Sequence, residues 1–242
     1  MPVEKPFLSL VIPAHNEEGR LPTTLEQVFA FLAGQTYDAE VIVVENGSTD
    51  RTLEIAQGFA SRQANLKVIH SDERGKGLAV KRGMLAACGE YRFFADADLS
   101  MPISEVNRFL PPALQEYDIV IASRETAGAK RYNEPYRRHL SGRIFNSLIR
   151  AVVLPGLEDT QCGFKCFSAS VAEDIFSLQT MPGWSFDVEL LYIAHRKGYQ
   201  IKEIGIPWYF NPETKVSLLR DSFRMAADLF TIRRNARKGL YG

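Results

Sequence analysis

Asp96 and Asp98 stand one residue apart where the apolar run Phe93-Phe94-Ala95 stops, just ahead of Leu99-Ser100-Met101-Pro102. Residues i and i+2 of a strand project to the same side. Two carboxylates so placed at the end of a buried strand can share one hard cation. Mg²⁺ and Mn²⁺ favour oxygen ligands and are often held by one or two carboxylates together with substrate phosphates. Without a cation, two adjacent buried carboxylates would be costly. An acidic surface turn has the same composition, so the surrounding elements must decide between the two.

Gly75-Lys76-Gly77 opens a helix. Glycine lets backbone approach a ligand, a helix N-terminus favours anions, and Lys76 adds a point charge suited to phosphate. The spacing matches neither a Walker loop nor the dinucleotide pattern Gly-x-Gly-x-x-Gly, and an ordinary glycine-rich turn would look the same. Glu45-Asn46-Gly47-Ser48-Thr49-Asp50 reads as a turn plus an N-cap, yet Glu45 ends an apolar strand and could accept hydrogen bonds from a base or ribose. His15, His70, His139 and His195 show no i, i+4 pair, and Cys162-x₃-Cys166 lacks a second ligand pair, so neither residue type suggests a metal site.

Alternating elements would position these groups. Phe7–Ile12 reads as a strand stopped by Pro13, and further strands fall at Glu40–Val44, Leu66–His70, Tyr91–Ala95 and Asp118–Ala122. Helical spacing over Leu21–Ala33 puts Leu21, Leu25, Val28, Phe29 and Leu32 on one face. Asp50 caps a helix to about Arg62, and Gly77–Cys88 forms another. The alternation predicts an α/β fold: a doubly wound, mostly parallel sheet flanked by helices, binding ligands at the carboxyl ends of its strands. The polar loops follow those ends, so they describe one crevice.

The second half is less regular. Residues 125–135 read as a mobile loop, followed by a basic helix over Tyr136–Val153, a strand at Gly163–Phe167 and a helix near Ala169–Phe176. Trp184–Lys197 reads as a helix and Gln200–Trp208 as a strand. The last 20 or so residues form a basic amphipathic helix, with Leu219, Phe223, Ala226, Ala227, Phe230 and Ile232 beside Arg220, Arg224, Arg233, Arg234, Arg237 and Lys238. Such a helix can cover the sheet or lie on an anionic membrane. The formal net charge of zero hides blocks: −6 over 1–123, +5 over 124–150, −4 over 151–214 and +5 over 215–242. The two basic blocks suggest anionic partners at two places, or solvated helix faces. Three scattered cysteines, no secretory leader and no apolar run of spanning length point to a cytoplasmic chain whose membrane contact, if any, is peripheral at the cytoplasmic face. No internal repeat or long linker appears, so residues 1–242 read as one domain.

The sequence resembles the inverting, family 2 glycosyltransferases of the GT-A fold. The match rests on Val11-Ile12-Pro13-Ala14-His15-Asn16-Glu17-Glu18, Val44-Glu45-Asn46-Gly47-Ser48-Thr49-Asp50, Gly75-Lys76-Gly77 and Asp96-Ala97-Asp98. Within that family it is most similar to the dolichyl- or polyprenyl-phosphate hexosyltransferases, through Ser123-Arg124, Arg137-x₃-Ser141, Asp159-Thr160-Gln161-Cys162-Gly163-Phe164-Lys165 and Phe186-Asp187-Val188-Glu189-Leu190-Leu191. The last two segments resemble the β-glucosyl branch more than the mannosyl branch. The resemblance implies that Pro13, Ala14, Asn16, Glu17 and Glu45 contact the nucleoside, with Lys76 near it and Asp96 and Ala97 along the nucleotide sugar. It implies that Asp96 and Asp98 hold Mg²⁺ or Mn²⁺ against the diphosphate, and that Arg124, Arg137 and Ser141 bind the acceptor phosphate. Glu45-Asn46 stands where the family usually has Asp-Asp.

On this resemblance residues 1–123 form the nucleotide-sugar half, 124–214 the acceptor half and 215–242 the basic helix. The expected partners are a nucleotide-diphosphate sugar and a polyprenyl or dolichyl phosphate, with a membrane surface as a further candidate and no nucleic acid. The expected reaction moves a hexose, glucose from UDP-glucose, with inversion. A phosphate acceptor arrives largely as a dianion, its second pKa being about 6, and needs little general-base help. A hydroxyl acceptor would need a carboxylate base; Asp159 is the first candidate and Asp187 the second, while Glu189 reads as structural. The alternatives are mannose from GDP-mannose, a non-lipid hydroxyl acceptor, a nucleotidyltransferase and a non-catalytic nucleotide-sugar binder.

Overall fold

The computed structural model describes residues 5–212 and 218–242, and for 218–223 the backbone alone. Leu219, Arg220 and Phe223 of the expected C-terminal face therefore lie outside the described side chains.

Seven strands form the main sheet: β1 (Leu8–Ala14), β2 (Ala39–Asn46), β3 (Leu66–Ser71), β4 (Tyr91–Ala95), β5 (Ile119–Ser123), β7 (Phe164–Ser168) and β8 (Ile201–Gly205). Between β5 and β7 in the chain lies the short β6 (Lys130–Tyr132), which pairs with β9 (Pro207–Tyr209) in a separate ribbon. The spatial order is β3-β2-β1-β4-β7-β5-β8, parallel except for β7, which runs antiparallel to both β4 and β5. Every residue of β1 is buried, as expected of a continuous apolar strand covered on both faces. β1 runs two residues past its expected end at Ile12, through Pro13 to Ala14. Its partner β4 pairs only as far as Val11, so Pro13 has a neighbour on one side alone.

Alternate side chains feed two cores. Val11, Ile42, Val44 and Phe94 face α3 (Lys76–Ala86), α5 (Ala169–Leu178) and α6 (Phe186–Lys197). Leu10, Ile12, Val43 and Phe93 face α1 (Leu21–Ala33) and the 3₁₀ segment Ile103–Phe109. The remaining helices are α2 (Thr52–Ala60), α4 (Tyr136–Val152) and α7 (Leu218–Arg237).

Two expectations change. The segment 125–135 is not a loop throughout, because Lys130–Tyr132 pairs in parallel with Pro207–Tyr209. The strand expected over 200–208 breaks at Ile206, whose N–H donates to the Ser123 carbonyl and whose own carbonyl accepts from Lys130 N–H. That residue hands the chain from the main sheet to the ribbon. The described part of the last helix docks on the body: Leu229, Ile232, Ala236 and Tyr241 join the first core, and Phe230 stays exposed. Burying Leu229 and Ile232 contributes roughly 1.5–3 kcal/mol each, enough to fix the helix end against the first core.

Candidate active site

The carboxyl ends of β1, β2 and β4 open into one cleft of about 630 Å³, closed on its far side by residues of α4, the segment before α6, and α7. Among the sequence candidates, Pro13, Glu17, Lys76, Asp96, Ala97, Asp98, Arg124, Ser141 and Asp187 line it.

Asp96 begins the turn after β4, its N–H donating to the Gly163 carbonyl at 3.0 Å. A Cβ on residue 163 would stand 2.1 Å from Asp96 Oδ2, so only glycine leaves room for this carboxylate. Asp96 Oδ1 lies 2.5 Å from Lys76 Nζ, but it is buried and lacks a well-oriented hydrogen bond. Asp98 Oδ1 accepts from Ser100 N–H at 3.0 Å. Burial, and then the charge of Asp96, push the Asp98 carboxyl above its ordinary range. Directly after the pair, Leu99 adopts φ +43°, a costly conformation for a bulky side chain. The pair thus consists of a carboxylate short of donors beside one held against its own repulsion. That donor set suits a hard cation. Among the described residues no third His, Cys, Asp or Glu joins the two, so the remaining ligands would be substrate oxygens and water. The ammonium of Lys76 now stands as the cation beside Asp96, with its Nζ 5.1 Å from the Trp184 ring centroid.

Where β1 and β2 end, Gly75 adopts φ +150°, and a Cβ there would meet the Pro182 carbonyl at 2.5 Å. Asn46, in the amide orientation that satisfies both neighbours, donates to the Ala14 carbonyl (2.8 Å) and accepts from Gly75 N–H (3.1 Å). It ties the ends of β1 and β2 to the start of α3. Asn16, at φ +52°, accepts from Thr49 N–H at 2.7 Å. Glu17 accepts from Arg20 Nε at 2.7 Å. Ala14, Asn16 and Glu45 are not among the lining residues.

Glu45 is turned to other work. It is 1% exposed; Oε1 accepts from Ser48 N–H at 2.5 Å, and Oε2 lies 2.5 Å from His70 Nδ1. Burial alone would raise its carboxyl, but the Ser48 and His70 hydrogen bonds outweigh burial and hold it below the ordinary value. His70 is raised in return, chiefly by its hydrogen bond to Glu45. Both oxygens already have partners within the protein, and Glu45 does not line the cleft.

Across the cleft, Arg124 Nε and Nη2 meet Asp159 Oδ2 and Oδ1 at 2.6 and 2.9 Å, and the Arg124 backbone N–H adds a third bond at 3.0 Å. Asp159 is fully buried, and although burial opposes it, Arg124 lowers its carboxyl to about 2. Its N–H and that of Glu158 both donate to Glu203 at 2.8 Å. A carboxylate so engaged is a poor proton acceptor, and Asp159 does not line the cleft; its place as the first base candidate is corrected to that of Arg124's anchor. The Arg124 and Arg131 guanidinium carbons lie 5.5 and 5.7 Å from the Trp208 ring centroid. Arg131 is neutralised by Glu125 and Glu134 at 2.5 and 2.6 Å.

Arg137 is exposed and does not line the cleft, whereas its neighbour Arg138 does, 5.2 Å from the Phe210 ring centroid. One residue along a helix turns the side chain by about 100°. Burial and the nearby Arg124 charge lower the Arg138 pKa. Ser141 lines the cleft with its hydroxyl donating to the Arg137 carbonyl at 3.0 Å.

Asp187 lines the cleft at 3% exposure, and burial raises its carboxyl. Glu189 is structural, as expected: it accepts from Thr180 and Met181 N–H and from the Tyr241 hydroxyl. Sequence reasoning gave no site role to Asn46, Arg224 or Asp228, all of which line the cleft. Asp228 accepts from Ser185 Oγ at 2.6 Å, which makes α7 a wall of the site.

A mostly parallel sheet with a carboxylate pair at the end of β4, facing arginines, is the arrangement of a nucleotide-sugar glycosyltransferase. The Glycosyl transferase family 2 description matches residues 9–176, and the chain belongs to that family. It is 34% identical to the dolichyl-phosphate beta-glucosyltransferase of Saccharomyces cerevisiae, covering 98% of this chain and 77% of that one. It is 32% identical to the Homo sapiens protein of the same name, over 93% and 74% of the two chains. Among solved structures it is similar to glucosyl-3-phosphoglycerate synthase from Mycobacterium tuberculosis in complex with UDP, with TM-score 0.68, 22% identity, and coverage of 94% and 80%. At that identity the likeness is one of fold, and it agrees with the GT-A fold. The same synthase has been crystallised with Mn²⁺, UDP-glucose and phosphoglyceric acid. The chain is thus a hexosyltransferase of family 2.

Proposed function

We propose that this enzyme moves glucose from UDP-glucose to a polyprenyl or dolichyl phosphate, with inversion at the anomeric carbon. The observation that carries the reading is one cleft with a carboxylate pair at one side and the anchored Arg124 with Arg138 at the other. Asp96 and Asp98 are the residues that would hold Mg²⁺ or Mn²⁺. When bound, the ion neutralises charge on the departing diphosphate. Lys76 supplies a second positive charge there. Pro13, Asn46 and Glu17 border the nucleoside, while Ala14, Asn16 and Glu45 shape that end from behind. Arg124, Arg138 and Ser141 take the acceptor phosphate, whose dianion attacks without a dedicated base.

A lipid phosphate must be reached at a membrane surface. No helix among the described residues is long and apolar enough to cross a membrane. Helix α4 exposes Tyr136, Leu140, Ile144 and Leu148 at four-residue intervals, and its cleft-facing residues include Arg138, Ser141 and Asn146. With the exposed Arg137 and Arg143, this stripe suits peripheral contact with an anionic bilayer.

A screen of radiolabelled nucleotide sugars with polyprenyl phosphate and Mn²⁺ tests the proposal. Label passing into organic extract from UDP-glucose, and not from GDP-mannose, is the expected result. The second reading, a hydroxyl acceptor with Asp187 as base, is favoured by the raised Asp187 carboxyl in the cleft. It predicts label in water-soluble product instead.

A further inference from the structure

Lys165 is a fully buried lysine on β7, a strand flanked on both sides by sheet neighbours. It stands in register with Phe94 and Ile121, both core residues. Its ammonium lies 2.5 Å from Asp187 Oδ1, 2.6 Å from the Cys162 carbonyl and 5.2 Å from the Phe94 ring centroid. A buried ion pair is weak evidence for stability, since well-packed apolar residues in its place are often more stable. The pair needs another reason, and its location supplies one: Asp187 borders the cleft that Trp184 and Asp96 also line.

We infer that Lys165 is a positioning residue for sugar transfer, acting through Asp187. The Cys162 carbonyl fixes the ammonium from one side. The ammonium then fixes Asp187 Oδ1, which leaves the rest of that carboxylate aimed at the cleft in a single orientation. Asp187 sits at the N-terminus of α6 and so comes from a different element than the Asp96 turn. Lys165 joins the two, because the Cys162-Gly163 turn that anchors it also grips Asp96. The inference rests on the proposed transfer reaction.

The test is a cycle of Lys165→Met, Asp187→Asn and the double variant, measured with the donor and acceptor that the wild-type enzyme turns over. Wild-type turnover of UDP-glucose and polyprenyl phosphate decides the functional reading separately. Each single variant should lower kcat by about 100-fold, the scale of a small misplacement. Mn²⁺-dependent UDP affinity, read by quenching of the two tryptophans, both in the cleft, should stay within about threefold of wild type. The double variant should melt no lower than wild type, yet turn over no faster and no slower than Asp187→Asn alone, because Lys165 acts only through Asp187. If Lys165→Met does not fold, the comparison of the double variant with Asp187→Asn decides. Recovered kcat in the double variant would reduce Lys165 to a counter-charge, and multiplying losses would mean that it acts independently; either overturns the inference. A double variant that fails to fold also overturns it, since the pair would then serve the fold itself.

Discussion

Arg124 and Asp159 meet through two parallel contacts, at 2.6 and 2.9 Å, with the carboxylate fully buried and the guanidinium at the cleft. The geometry is a bidentate fork, which fixes direction as well as charge. Asp159 thereby aims a cation that would otherwise sample many rotamers. A phosphate arriving at the cleft meets a guanidinium already in place, which lowers the ordering cost of binding.

Asp159→Asn leaves Arg124 without its counter-charge in a buried setting, and breaking such a pair costs about 3–5 kcal/mol. Melting temperature should fall, and the acceptor KM should rise more than the donor KM. A kcat loss with unchanged acceptor KM and loss of the acid limb of the pH profile would restore Asp159 as a base.

Arg138→Ala should raise the acceptor KM about tenfold or more, the value of one charge-assisted hydrogen bond, while Arg137→Ala should change it less than about threefold. Steady-state kinetics on the two variants decide it. The opposite ranking would show that α4 turns its other face to the acceptor.

The Glu45–His70 pair predicts a pH window. The folded His70 pKa is raised, so its contribution is full below the unfolded value and is lost as pH rises through the folded one. The folded Glu45 pKa is lowered, so its contribution is present above the unfolded value and is lost as pH falls through the folded one. The melting difference between wild type and His70→Ala should be largest near about pH 6 and shrink by about pH 9. A difference that grows with alkalinity would rule out the charged pair.

Gly163→Ala puts a Cβ 2.1 Å from Asp96 Oδ2 and must displace the carboxylate. Turnover should fall about 100-fold, and Mn²⁺ affinity in the presence of UDP should fall with it. Unchanged affinity, by calorimetry, would mean that Asp96 can move without loss.

Much of the frame was legible in the chain. Helix Leu21–Ala33 and strand Tyr91–Ala95 fall where periodicity and the stop at Asp96 put them. What escaped depends on neighbours distant in sequence. Glu45 reads as a ligand contact until β3 sets His70 opposite it in register. Arg137 and Arg138 are equivalent as letters, and only the rotation of α4 separates them. The amphipathic pattern at the C-terminus fits a membrane and a protein core alike; the described face chose the core through Leu229, Ile232 and Tyr241. Lys165 fell within the Asp159–Lys165 segment and the strand expected at Gly163–Phe167, but its complete burial cannot be read from its flanks.

The central claim is that Asp96 and Asp98 present a divalent ion to the donor's diphosphate. Calorimetric titration of UDP-glucose, with and without Mn²⁺, into wild type and Asp98→Ala tests it most directly. The account predicts Mn²⁺-dependent binding in wild type, lost by about tenfold or more in a folded Asp98→Ala. Equal affinity in the two proteins, or binding that ignores the metal, would contradict it.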